Sequence, residues 1–211
     1  MAKLKYSREE IAHVLAEKGY KYFTGNNGQF PYDVNIIGIR NSSTKNRVTN
    51  AFDDLMTISY MDEEQQWHYH EYGCTTDPGM YWTEKKLINK DGVAIVKPGQ
   101  YRSSHKLGLH QGKYEALVQR GKITVYRDGN MDDEYDLNEN DTQNGLFGIN
   151  IHRATAKKGG KSIRVDKWSA GCQVIADNDD YNEFLSICNK AKGYWGNSFT
   201  YTLIESKDLV G

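Results

Sequence analysis

Residues Gly145 to Ile175 read GLFGINIHRATAKKGGKSIRVDKWSAGCQVI. Two apolar runs lie in this stretch, Leu146, Phe147, Ile149 and Ile151 in the first and Val174-Ile175 in the second, and each has the patterning of a strand. His152 ends the first run. Cys172, twenty residues later, precedes the second behind a small Ser169-Ala170-Gly171 approach. Between them Ala154 to Lys167 is rich in Lys, Gly and Ser, the composition of a surface loop joining two core pieces. The stretch therefore predicts a β-rich domain in which two strand ends deliver a histidine and a cysteine to one place.

That pair has a chemical meaning. An imidazole beside a thiol takes its proton, and the thiolate attacks a carbonyl. A glycine before the cysteine lets the backbone turn sharply and present N–H groups to a developing oxyanion. Taken singly, a cysteine among apolar residues is a small buried hydrophobe and a histidine is a satisfied structural group. The combination of Cys172, His152 and Gly171 is what points to catalysis.

The segments Gly148-Ile149-Asn150-Ile151-His152 and Trp168-Ser169-Ala170-Gly171-Cys172 resemble the signature of the L,D-transpeptidase (YkuD-like) catalytic domains, an Ile-His strand end followed about twenty residues on by Ser/Thr-His-Gly-Cys. Thr75 to Tyr81 (TTDPGMY) resembles the Thr-Pro-x-Gly-x-aromatic strand upstream of that site. The phrases CTTDPGMYW, AIVKPGQYR, GINIHRA and WSAGCQV, spread over most of residues 30 to 205, are similar to phage and prophage members of the family. The resemblance implies that Cys172 is the nucleophile and His152 the base, with Ser169 orienting the site and the Gly171 and Cys172 backbone forming the oxyanion site. It implies acyl transfer on peptidoglycan stem peptides, by cleavage or exchange, in an enzyme used in lysis of the host or penetration of its wall. Ala170 stands where the family usually has His, and Val174 where it usually has Arg or Asn. Arg153 or Arg164 is then the bidentate cation available for a substrate carboxylate.

Working outward, 211 residues suffice for one domain with a real core, and 38% hydrophobic residues with 15 Tyr suggest a globular, β-rich chain. A formal net charge of −1 gives no footprint for nucleic acid. No window approaches eighteen consecutive apolar residues and the N-terminus lacks a signal h-region, so the expectation is no membrane insertion and synthesis in the cytoplasm, with the wall reached through phage-mediated release or in a virion. Three cysteines, Cys74, Cys172 and Cys188, have neither disulfide nor metal spacing.

Ser7 and Glu10 form a capping box for a helix over residues 7 to 18, with Ile11, Val14 and Leu15 as its buried stripe and Gly19 as its stop. Strands are expected at Val34 to Arg40, at Leu55 to Met61 and Gln66 to Gly73 as a hairpin, and then at Tyr81-Trp82, Gly92 to Val96, Ile123 to Arg127, Leu146 to His152 and Phe199 to Glu205. His68 and His70 have the spacing of a zinc site, which His105 and His110 could join from another loop. No second cluster completes it, and neither metal nor cofactor is expected. Gln100 to Gly121 is less regular and has two readings: Tyr101, His105, His110 and Tyr114 line a cleft wall over the Cys/His pair, or the segment is a loop plus a short helix at Tyr114 to Gln119. Tyr101 and His110, with Arg153, are the candidate substrate contacts. Asp128 to Asp141 is the most acidic stretch, and its DGNMDDEYD is superficially like a calcium loop without the central glycine and terminal glutamate; it reads as a solvated acidic loop, at most weakly cation-binding, with Arg127-Asp128 beside the site strand. After Cys172, Asp177 or Asn178 caps a helix with the stripe Tyr181, Phe184, Leu185 and Cys188, which buries Cys188.

The fold expected is mainly β (α+β): one domain over residues 1–211, a twisted sandwich or partly closed barrel of the L,D-transpeptidase catalytic type. Residues 1–29 form a helix and turn packed on it, and one helix follows the cysteine. The competing expectation is a non-catalytic virion or wall-binding protein that keeps the fold.

Overall fold

The computed structural model describes residues 5–85, 88 and 90–209. It is mainly β, in a single sheet-rich domain. Helix α1 (Arg8–Glu17) has the capping box in full: Ser7 Oγ accepts from Glu10 N–H while the Glu10 carboxylate accepts from Ser7 N–H. A one-turn element, α2 (Gly25–Gly28), contains Asn26 and Asn27 in left-handed backbone conformation. Then come β1 (Asn35–Arg40), β2 (Asp54–Met61), β3 (Trp67–Thr75), β4 (Val93–Val96), β5 (Gly99–His110), β6 (Tyr114–Gln119), β7 (Ile123–Asp128), β8 (Thr142–Gly145), β9 (Ile151–Arg153) and β10 (Gln173–Ile175), followed by α3 (Asn178–Trp195) and β11 (Phe199–Glu205).

Eight strands close a barrel in the order β1-β11-β5-β6-β9-β10-β3-β2, and β4-β7-β8 form a separate three-stranded sheet. Two neighbouring pairs in the barrel are parallel, β1 with β11 and β9 with β10. β1 is buried on both faces, which is why NIIGIR reads as a continuous apolar run rather than an alternation. Ile36 faces the barrel interior, while Ile37 and Ile39 pack with Ile11, Val14 and Leu15 of α1. α3 seats Tyr181, Phe184, Ile187, Cys188 and Ala191 in the main core. Each of the larger side chains there contributes about 1.5–3 kcal/mol of burial. No helix among the described residues is long and apolar enough to cross a membrane.

Four expectations need correction. Tyr114 to Gln119 is strand β6, hairpinned to β5 with Leu107 opposite Leu117 and His110 opposite Tyr114. Gln111 and Gly112 at its tip both have positive φ (50° and 71°), the pair of left-handed residues that matches strand twist and turns the chain back. Leu146 to His152 is no continuous strand: only Ile151–Arg153 pairs as β9, Leu146 is 66% exposed, and Gly148 at φ 74° breaks the ladder. Tyr81-Trp82 does not resume a strand but opens a π-type turn (Tyr81–Lys85), fixed by Trp82 Nε1–H donating to the Lys167 carbonyl. In α3, Ile187 and Ala191 are buried with Tyr181, Phe184 and Cys188, and Leu185 packs at the edge of the core.

Beneath the Cys172 turn lies a buried charged cluster. Arg40 Nε sits 2.8 Å from Asp77, and its other guanidinium nitrogens donate to the Val96 and Thr76 carbonyls. Asp54 accepts from Asn41 N–H, Thr76 N–H and Thr76 Oγ1–H. Burial, reinforced by Asp77, lifts Asp54 above the usual carboxylate range.

Candidate active site

Parallel pairing sets the corner. Val174 lies opposite His152 and Gln173 opposite Ile151, and Gln173 N–H donates to the Asn150 carbonyl at 2.9 Å. Strand alternation sends Ile151 and Ile175 into the core and leaves Asn150, His152 and Cys172 on the opposite face. Cys172 and His152 are thus brought to one surface, one diagonal apart, as the patterning of the stretch requires.

The ring of His152 is 3% exposed and held from two sides. Its Nδ1 lies 2.9 Å from the Arg153 carbonyl, which can only accept, so Nδ1 carries the proton and the basic lone pair is at Nε2. The Tyr114 hydroxyl also reaches Nδ1, at 3.2 Å. His110 stacks on the ring with centroids 4.1 Å apart and planes 27° apart. Asn150 orients that second ring: its Oδ1 accepts from Gln119 N–H at 2.9 Å, so its amide nitrogen faces His110 Nδ1 at 3.0 Å and donates. His110 therefore accepts at Nδ1 and is the Nε2–H tautomer when neutral.

The thiol has its own partners. Cys172 Sγ donates to the Gly148 carbonyl at 3.4 Å and accepts from Asn150 N–H at 3.5 Å. Among the described residues it makes no hydrogen bond to His152. Burial pushes the thiol up to about 11, against a small opposing effect of the Asn150 N–H. Burial, and then His110, push His152 down to about 4. Both shifts favour the uncharged partners, so the pair at rest is thiol plus neutral imidazole rather than thiolate plus imidazolium.

Ser169 is buried, and its Oγ donates to the Cys172 carbonyl at 2.8 Å and accepts from Gly171 N–H at 3.1 Å. It shapes the turn and makes no hydrogen bond to Sγ or to the His152 ring. Because Gly171 N–H is taken by Ser169, Cys172 N–H is the amide left for an oxyanion, having no protein acceptor among the described residues. Gly171 itself is required: φ is 124°, and a Cβ would lie 2.3 Å from the Ala94 carbonyl oxygen.

The guanidinium of Arg153 lies over the Tyr114 ring, 4.4 Å from its centroid, at the edge of the corner. Tyr101 lies apart, its hydroxyl donating to the Lys97 and Thr124 carbonyls and its ring packed on the main core. His105 is buried under the Ile149 carbonyl, 3.0 Å from Nε2. Arg127 stacks on Phe147, 4.9 Å away, whereas Asp128 points into the loop after β7. His68 pairs with Asp62, His70 with Glu183, and Cys74 lies in the core.

Two residues with site roles were not singled out from the sequence. Asn150 ties His110 to the backbone that contacts Sγ, and its alternation with His152 was the available signal. Gln119 clamps the approach, its Oε1 accepting from Phe147 and Ile149 N–H and its Nε2–H donating to the Gly145 carbonyl. No family model, curated protein or solved structure matches the chain.

Proposed function

We propose that this protein is a cysteine-dependent acyl-transfer enzyme acting on peptidoglycan stem peptides, an L,D-transpeptidase-like catalytic domain of phage type. The observation that carries the reading is the parallel register that sets His152 opposite Val174, two residues after Cys172, with Nδ1 of the histidine against the Arg153 carbonyl so that Nε2 is the base. In the proposed cycle the thiol turns from the Gly148 carbonyl to His152. Nε2 takes the Sγ proton as sulfur bonds to the carbonyl carbon next to a D-configured centre. Cys172 N–H receives the oxyanion. The tetrahedral adduct collapses, the C–N bond breaks, and the imidazolium returns its proton to the leaving amine. Water or a second amine then attacks the thioester by the reverse sequence, giving cleavage or a cross-link. With the resting groups neutral, proton transfer accompanies attack instead of preceding it. Arg153, held over Tyr114, is the cation offered to a substrate carboxylate, and His110 with Asn150 positions the base.

A second reading is a wall-binding or virion protein whose site has lost activity. It draws on the thiol being held as a thiol against Gly148. Digestion of purified peptidoglycan by wild type and by Cys172→Ala, with fragments identified by mass spectrometry, decides between the two. New stem-peptide products or cross-links from wild type alone support the enzyme and name the bond. Unchanged wall in both samples, with binding retained, supports the second reading.

A further inference from the structure

The acidic loop after β7 contains a buried carboxylate with no cation to balance it. Asp128 is 1% exposed, and both its carboxylate oxygens are buried without a hydrogen-bond partner among the described residues. The charged groups that face it are Asp136 and Asp132, and the backbone N–H of Asn130 is, among the described residues, the one group whose influence favours the carboxylate. Arg127, the adjacent cation, turns away: Nε–H donates to Gln143, another guanidinium N–H to the Gly92 carbonyl, and the group lies over Phe147. A buried carboxylate facing two more, with no protein cation, needs either a proton or a metal ion. The loop favours the metal. Asp128, Asn130 and Asp132 offer side-chain oxygens at alternate positions, and Met131 between the last two takes a left-handed φ of 63°. Asn130 and Asp132 already brace each other, Asp132 N–H donating to Asn130 Oδ1 at 3.2 Å.

Beyond them the chain is pinned: Val48 N–H donates to the Asp133 carbonyl at 2.8 Å, and Tyr135 bonds Asn46 through its N–H and Pro78 through its hydroxyl. The donors are all oxygen, the set that suits a hard divalent ion. This is no EF-hand. Asp133 occupies the place of the central glycine, and Glu139, twelfth from Asp128, is bonded to Lys97 and Tyr126 instead. No three acidic, His or Cys side chains among the described residues already converge on one point, so occupancy would draw exposed Asp132 and Asp136 inward.

We propose that Asp128, Asn130, Asp132 and Asp136 form a calcium site that ties the loop to the end of β7. The test is thermal unfolding at pH 8 with Ca2+ alone, then with excess EGTA, on wild type, Asp128→Asn and Asp132→Asn, alongside terbium luminescence excited through the nearby tyrosines. At calcium a hundredfold above Kd, wild type should gain about 5 °C or more, reversed by EGTA. Both variants should lose that gain. Without metal, Asp128→Asn should melt above wild type, because it removes the uncompensated charge. Asp132 is exposed, so its variant answers even if Asp128→Asn misfolds. A folded wild type that neither binds terbium nor responds to Ca2+ would show that Asp128 is simply a buried protonated acid. An unchanged calcium gain in Asp132→Asn would equally overturn the site.

Discussion

Gln173 stands between two buried polar regions built on opposite electrostatics. Its Nε2–H reaches the Gly171 and Thr76 carbonyls, each at 3.3 Å, and its Oε1 accepts from Tyr201 at 2.6 Å. On the Thr76 side, Arg40, Asp54 and Asp77 are buried ionisable groups, Asp77 set against the Arg40 guanidinium and Asp54 accepting from Thr76 and the Asn41 N–H. On the Gly171 side, Cys172, His152, His110, Tyr114 and Asn150 are uncharged and share hydrogen bonds and ring stacking. The contrast separates an ionisable floor from an uncharged corner. Paired charges lock the floor of the turn, since any shift would expose an unpaired ion at high cost. The neutral corner leaves His152 Nε2 without a protein partner among the described residues and holds the thiol between the Gly148 carbonyl and the Asn150 N–H.

If the charged floor is the support, Arg40→Leu should have the largest effect. It leaves Asp54 and Asp77 uncompensated, at about 3–5 kcal/mol, and should lower Tm by about 10 °C. A change within 2 °C of wild type, on any such rough scale, would break the contrast. Gly171→Ala should cost about 2–3 kcal/mol through backbone strain and the Ala94 clash, readable as a shifted urea midpoint at constant slope. Tyr201→Phe removes the donor to Gln173 and leaves a buried acceptor, a loss of about 1–2 kcal/mol. Its informative readout is iodoacetamide labelling of Cys172, which should change because Gln173 also holds the Gly171 carbonyl.

The last prediction leaves stability aside. With the thiol pushed up to about 11, Cys172 alkylation should climb about tenfold per pH unit from pH 7 to pH 10, without a plateau near neutrality. A plateau below pH 8 would reveal a preformed ion pair and erase the difference between the two regions.

Much of this corner was legible before folding. His152 and Cys172 stand at the ends of apolar runs, and alternation puts both on one face. Less was legible at Tyr114 to Gln119, where YEALVQ suits helix and strand alike and the left-handed pair Gln111-Gly112 decides for the hairpin. Leu146 and Phe147 looked like strand because they are apolar. Gly148 and the Gln119 clamp make them a bent approach instead. Tyr101 looked like a cleft residue by its neighbours, but its hydroxyl is spent on two carbonyls.

By itself the sequence determined a β-rich domain, the capped first helix, and a thiol and imidazole placed at strand ends, because these rest on period, capping chemistry and residue type within a few positions. Only the tertiary structure decided that the barrel closes through β1 and β2, that His110 lies on His152 from 42 residues away in the chain, and that burial favours the uncharged forms of Cys172 and His152. Those outcomes depend on contacts between distant segments and on the water they exclude, and neither is encoded in any local pattern of residues.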